Sequence, residues 1–174
     1  MNLKILASNA LNFSLNRVIE IVGMAILITG ILLLSSLITF SPDDPNFIFP
    51  SDTEITNILG FRGSFIADIF FQSFGLISLL IPFSIIASGI NIIINKKIFL
   101  IIENIFYTIL YSLLGSLFFT FFYPITFKFY INGNGGFVGK YLEKTFFNNR
   151  KYFLYYFIFF VWLFIFFLFL SNII

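Results

Sequence analysis

The chain has 174 residues, of which 59% are hydrophobic and 10% charged, with 29 Phe and a mean hydropathy of +1.01. Soluble domains carry roughly 45–50% apolar and about 25% charged residues, so this composition excludes a water-soluble globule and makes lipid the main solvent. A net charge of +2, dispersed along the chain, is too weak a footprint for direct nucleic-acid contact.

The chain contains no His and no Cys. That excludes disulfides, thiolate nucleophiles, Ser–His–Asp triads, Cys/His zinc sites, iron–sulfur clusters and His-ligated haem. No catalytic, cofactor-binding or metal-ligating residue is assigned, and the chain is not expected to be an enzyme.

Four apolar runs reach the roughly 20 residues that a helix needs to cross a bilayer. The spacing predicts an N-terminal segment over residues 1–17 and a first helix over about 18–40, whose apolar part runs from Ile21 to Phe40 behind Arg17 and Glu20. That part is longer than the roughly 7–15 residues of a signal-peptide core, so it reads as a retained span. Ser41-Pro42-Asp43-Asp44-Pro45 ends it, because proline cannot continue a helix. An acidic loop follows over 41–63, with Asp43, Asp44, Asp52 and Glu54 against Arg62.

The second helix is expected over about 66–94, interrupted by Asp68, Gln72 and Pro82, and it closes at Asn95-Lys96-Lys97. The third covers about 98–123, with Glu103 near its start. A longer loop over 124–149 leads to the fourth helix, about 152–172, which begins after Arg150-Lys151. These continuous apolar blocks do not alternate as barrel strands do. The predicted fold is all-α: a polytopic membrane protein with one four-helix domain over 18–174 and two longer extracytoplasmic loops.

Ser112, Ser116 and Thr120 recur every four residues beside Gly115, a strip of small side chains where a neighbouring backbone can approach. Gly23, Gly30, Gly75 and Gly89 offer similar positions on the first two helices. The fourth run lacks small residues and is expected at the periphery, with Tyr152, Tyr155 and Tyr156 at the interface.

Cation counting leaves orientation open. Lys4, Arg17, Lys96 and Lys97 share the face of the termini, whereas Arg62, Lys128, Lys140, Lys144, Arg150 and Lys151 share that of the long loops. The count leans weakly toward internal loops, while the first hairpin alone argues for an internal N-terminus.

Three constellations invite a chemical reading. Gly133 to Tyr141 is glycine-rich but lacks the spacing of a P-loop or a dinucleotide fingerprint. Asp43 and Asp44, flanked by prolines, read as turn chemistry rather than a metal site. Asp68 and Glu103 fall near expected helix starts, where a carboxylate reaches the interface; the competing reading, a small transporter or channel subunit, would use them with Gln72 in a polar path.

The segment Thr39-Phe40-Ser41-Pro42-Asp43-Asp44-Pro45-Asn46-Phe47 resembles the Tyr-Ser-Pro-x-Asp-Pro-x-Phe signature after the first span of the FtsK/SpoIIIE DNA translocases. Asn57, Gly60, Gly63, Ala67 and Asp68, followed by Gly75, resemble that family's Asn-x-x-Gly-x-x-Gly-Ala-x-x-Ala-Asp segment, with Ser64 in place of the usual Ala. Gly135, Gly136 and Gly139 resemble its Gly-Gly-x-x-Gly before the fourth span. The family motif positions are therefore Ser41, Pro42, Asp44, Pro45, Asn57, Gly60, Gly63, Ala67, Asp68, Gly75, Gly135, Gly136 and Gly139.

The resemblance implies a bacterial inner-membrane anchor and assembly module at the division septum, serving cell division and chromosome segregation. It implies cytoplasmic N- and C-termini and periplasmic long loops. Its implied partners are the lipid bilayer, cell-division membrane proteins and a motor domain carried separately or downstream, and it is compatible with a homo-oligomer. No Walker motif is present, so ATP hydrolysis and DNA pumping are not expected of this chain.

Overall fold

The structure, a computed structural model, describes residues 3–45, 54–123, 132–146 and 157–166. Lys128, Arg150, Lys151, Tyr152, Tyr155 and Tyr156 lie outside them. The described residues form helices and no strands. These are α1 (Leu3–Ile38), α2 (Gly60–Phe74), a 3-10 segment (Gly75–Leu80), α3 (Ile81–Asn95), α4 (Leu100–Phe122), α5 (Gly136–Phe146) and α6 (Phe157–Phe166).

Among the described residues, three helical stretches are long and apolar enough to cross a membrane: Ser8–Ile38, Gly60–Asn95 and Leu100–Phe122. The fourth apolar run contributes the shorter helix α6. Helix α1 starts at Leu3, well before the expected residue 18, because nothing in Leu3 to Arg17 is a proline or glycine that would stop the helix.

The second expected helix is the one the structure most revises. Gly60–Asn95 has 36 residues, which at 1.5 Å per residue would reach about 54 Å, far beyond the roughly 30 Å of hydrocarbon. It is divided at Gly75. Ser36 in α1 donates to the Gly63 carbonyl at 2.6 Å, and the rings of Phe40 and Phe71 lie 4.8 Å apart. As α2 advances from Gly63 to Phe71, its contacts move only from Ser36, in the last turn of α1, to Phe40, just past its end: α2 crosses the end of α1. The 3-10 segment then turns the chain so that α3 runs back along α1. Pro82 fits in the first turn of α3, where a backbone N–H has no intrahelical acceptor.

The α1–α3 seam is made by small residues. A Cβ added at Gly89 would lie 2.7 Å from the Leu27 backbone nitrogen and 2.8 Å from the Gly23 carbonyl oxygen. At the far end, Glu20 pairs with Lys96 at 3.0 Å and with Arg17 at 2.5 Å. Lys96 caps α3 in a left-handed conformation, with its N–H on the Ile92 carbonyl. The short turn at 95–97 is thus as the sequence led one to expect.

One apolar cluster joins Leu33, Leu37, Ala67, Phe71 and Ile81; another joins Ile77, Tyr111 and Ile165. Among the buried side chains, however, Ser36, Ser64, Ser78, Ser84, Ser112 and Ser116 are prominent, whereas Ile21, Met24, Ile28, Ile102, Phe106 and Ile109 are exposed. This polarity is inverted relative to a soluble domain and suits a lipid solvent.

Helix α6 packs one face closely and leaves Phe157, Phe160 and Phe164 exposed. Trp162 stacks on Phe118 at 5.7 Å, and a Cβ on Gly115 would lie 2.8 Å from the Trp162 indole nitrogen. Ile158 and Ile165 are buried. An aromatic helix can pack closely when its partner supplies the small residue.

Replacing Gly89 with Leu forces α1 and α3 apart. The expected loss is about 1–3 kcal/mol or more, read as a lower melting midpoint in detergent. Phe160→Leu, at an exposed position on α6, leaves the midpoint nearly unchanged.

Candidate functional site

Two polar junctions tie the connecting loops to helix ends, and the motif residues concentrate there. The first begins where α1 ends. Ser41 accepts the Asp44 N–H on its carbonyl at 3.3 Å and the Asp43 N–H on its hydroxyl at 3.3 Å. This is a turn over residues 41–44 with Pro42 at its second position, where a fixed φ fits. The turn aims Asp44 inward, where it is buried. One carboxylate oxygen accepts the Thr56 N–H at 2.8 Å and the Thr56 hydroxyl at 2.7 Å; the other accepts the Asn57 N–H at 3.0 Å. Those three donors stabilise the buried carboxylate and fix the returning strand of chain.

Asn57 continues the connection. Its Nδ2 donates to the Ser36 carbonyl at 2.9 Å and to the Thr39 carbonyl at 3.4 Å, while its Oδ1 accepts the Leu59 N–H at 3.1 Å. A helix leaves its last carbonyls without intrahelical partners, and this amide takes one of them at the end of α1 while turning the chain into α2. The Thr39 hydroxyl donates to the Ser35 carbonyl at 2.8 Å and accepts the Ile58 N–H at 3.3 Å. Gly60 opens α2, and Gly63 packs against Asn57, whose amide oxygen occupies the place a Cβ would need. Ser64 donates to the carbonyl of buried Pro45 at 3.4 Å. Ala67 is fully buried in the cluster with Leu33 and Leu37.

The second junction sits at the break between α2 and α3. Gly75 has φ +71° and Gly136 φ +64°, a left-handed conformation that disfavours any Cβ. Both also lie backbone to backbone: Leu76 N–H donates to the Asn134 carbonyl at 2.8 Å, and Gly136 lies against the Ser73 carbonyl. Around the break, three carbonyls of α2 receive side chains. Ser78 Oγ donates to Phe70 O at 2.7 Å, Asn132 Nδ2 to Gln72 O at 3.2 Å, and Ser116 Oγ to Phe74 O at 2.9 Å. Asn134 Nδ2 closes the far side on the Tyr123 carbonyl at 2.6 Å, capping α4.

Helix α5 is held by the same junction. Gly135 and Gly139 lie directly on the Ser116 carbonyl and the Thr120 hydroxyl. The Ser112–Ser116–Thr120 strip does face a neighbour, as its spacing implied, but at Ser116 and Thr120 that neighbour is the glycine face of α5, a helix not anticipated within the 124–149 loop. Its signal was present in the Asn-Gly-Asn-Gly-Gly turn and in Phe137, Lys140, Tyr141 and Lys144 at helical spacing. Phe137 and Tyr141 are exposed and stack at 6.1 Å.

The remaining candidates lie apart from the junctions. Asp68 is half-buried beside Gln72, whose Nε2 lies 3.5 Å from its Oδ1. With α2 starting at Gly60, Asp68 sits past the second turn rather than at a helix start. Glu103 is exposed in the first turn of α4. Thr56 and Asn132 are junction residues that sequence reasoning missed, since isolated hydroxyls and amides carry no pattern.

An all-helical integral membrane protein whose loops are bonded into its helix ends is the class these features define. The chain belongs to the FtsK/SpoIIIE family: the 4TM region of DNA translocase FtsK/SpoIIIE matches residues 16–173. Similar proteins include the DNA translocase FtsK of Agrobacterium fabrum (strain C58 / ATCC 33970), 32% identical over 85 residues, which are 49% of this chain and 10% of that protein. The DNA translocase FtsK of Rhizobium meliloti (strain 1021) is 34% identical over 67 residues, 38% of this chain and 8% of the relative. That of Rickettsia bellii (strain RML369-C) is 34% identical over 64 residues, 37% of this chain and 8% of the relative. The matched stretches are thus a tenth or less of these relatives. No solved structure matches the chain.

Asp44→Ala leaves three donors without their acceptor and is expected to cost about 3 kcal/mol, the scale of hydrogen bonds to a charged group. Limited proteolysis of the 41–59 loop and the detergent melting midpoint both report it, and Glu54→Gln, on the exposed surface, serves as the silent control. At the second junction bulk matters more than the hydroxyl. Ser116→Ala loses one hydrogen bond, about 1 kcal/mol, whereas Ser116→Leu drives α5 off α4 and speeds tryptic cleavage at Lys140 and Lys144, which are exposed but held on a helix in the folded chain.

Proposed function

We propose that the chain is the membrane anchor and assembly module of an FtsK-like DNA translocase. In this reading it acts at the division septum, with both termini cytoplasmic and the 41–63 and 124–149 loops periplasmic, and the ATP-driven motor is carried by other residues than these. The observation that supports it best is the coincidence of the family motif with the two junctions. Asp44, Asn57, Gly63, Gly75, Gly135, Gly136 and Gly139 hold loops against helix ends, so they form a fixed surface instead of a passage. A scaffold that presents loops to partner membrane proteins needs that rigidity.

A transporter would need a polar route across the bundle. Inside it, Ser88, Thr108, Ser112 and Thr120 direct their hydroxyls to carbonyls one turn back on their own helices, and Ser84 and Tyr111 share a hydroxyl contact at 2.5 Å. These hydroxyls are taken up by main-chain carbonyls of their own helices and by the Ser84–Tyr111 contact, which favours the anchor.

The test is a pair of fusions. A fluorescent protein joined after Ile174 should be bright and gather at the septum, and alkaline phosphatase at the same place should be inactive. An active phosphatase with a dark fluorescent fusion reverses the topology; a fluorescent signal spread evenly over the membrane removes the septal role. Proton-dependent flux in liposomes that disappears in Asp68→Asn would establish the transporter in its place.

A further inference from the structure

Helices α1, α2 and α3 do not close on one another where α2 crosses the end of α1. They leave a groove of about 490 Å³ whose walls include Thr29 and Leu32 from α1, Ile66 and Phe70 from α2, and Ile85 from α3. Arg62 stands at its rim. Among the described residues the ion pairs are Arg17–Glu20 and Lys96–Glu20, so the Arg62 guanidinium is exposed and uncompensated.

The order of these groups along the membrane normal is fixed by the fold. Ser36 donates to the Gly63 carbonyl at 2.6 Å, which places Arg62 level with the last turn of α1, where the chain leaves for the polar Ser41–Pro45 turn. The groove then runs inward along α1 as far as Thr29. Seven residues at 1.5 Å each make that descent about 10 Å. A cation at the boundary above an apolar trench within the hydrocarbon has the order of charge and chain that a phospholipid has.

We propose that this groove is a phospholipid site, with one acyl chain lying between Leu32, Ile66 and Ile85 and the lipid phosphate held by the Arg62 guanidinium. Arg suits the role, since its planar fork donates two parallel hydrogen bonds to phosphate oxygens while its stem lies along apolar surface. The apolar walls give the chain its place, and the single cation sets the depth of the headgroup. An anionic lipid such as phosphatidylglycerol is favoured over a zwitterionic one, whose headgroup carries its own competing cation.

Native mass spectrometry of the full chain in mild detergent, titrated with dioleoylphosphatidylglycerol, tests the site. One lipid per chain should survive delipidation. Arg62→Gln should weaken retention roughly tenfold, the effect of removing a charge-assisted hydrogen bond, and Ile66→Trp, which fills the trench and spares the cation, should also weaken it. Lys97→Gln, at the opposite end of α3, should retain the lipid as the unaltered chain does. Dioleoylglycerol, which has the chains without the phosphate, should bind the unaltered chain no better than phosphatidylglycerol binds Arg62→Gln, and inorganic phosphate should not displace the lipid. If Ile66→Trp lowers the melting midpoint, Arg62→Gln alone decides. Retention equal in the unaltered chain and Arg62→Gln overturns the proposal. So does cross-linking of Ile66→Cys in cells to a span of another protein while lipid retention stays indifferent to Arg62→Gln.

Discussion

A helix that breaks leaves carbonyl groups in need of donors, and much of this fold is arranged around that necessity. Ser78, Asn132 and Ser116 donate to the carbonyls of Phe70, Gln72 and Phe74 around the break at Gly75. Each comes from a different part of the chain: the 3-10 segment, the second loop and α4. Satisfying one broken helix therefore fixes the position of three other segments. The unsatisfied alternative costs several kcal/mol per group in hydrocarbon, which is more than most single packing contacts contribute.

The break also resolves a problem of length. A continuous helix of 36 residues would overshoot the bilayer, and dividing it lets α2 lie across the end of α1 while α3 alone pairs with it. The first junction secures the crossing. Asn57 and Asp44 bind the entry of α2 to the exit of α1, so the angle between the two helices is set by hydrogen bonds and not by the shape of lipid-facing side chains. Where three helices meet at that angle, an open trench is the geometric result.

Much of the architecture was legible from residue patterns because hydropathy reports directly on lipid exposure. The apolar runs, the tight Lys96 turn and the proline-aspartate stop after α1 were all readable, as was the small-residue strip at Ser112, Ser116 and Thr120. The motif residues were recognisable as a set, but their job was not. Gly75 and Gly136 are separated by 61 positions in number, and only the folded chain reveals that they meet at one break. Helix α5 was hidden because its packing face is glycine, which reads as loop. The absence of small residues on Phe157–Phe166 suggested a peripheral helix and gave no sign of its close contact, for which Gly115 on the partner supplies the recess that takes Trp162. Close approach needs one small surface, and it does not matter which helix provides it.

The bonds that secure the break share a property with evolutionary weight. Their acceptors are main-chain oxygens, so Phe70, Gln72 and Phe74 could become almost any residue compatible with a helix and still offer the same atom. Only the donors Ser78, Asn132 and Ser116 and the left-handed glycines are tied to a residue type. The side chains on the outer surface are answerable only to the lipid, which accepts Phe, Ile and Leu alike. A chain built this way can drift toward an extreme composition, here 29 Phe in 174 residues, and keep its fold through a small set of donors and glycines.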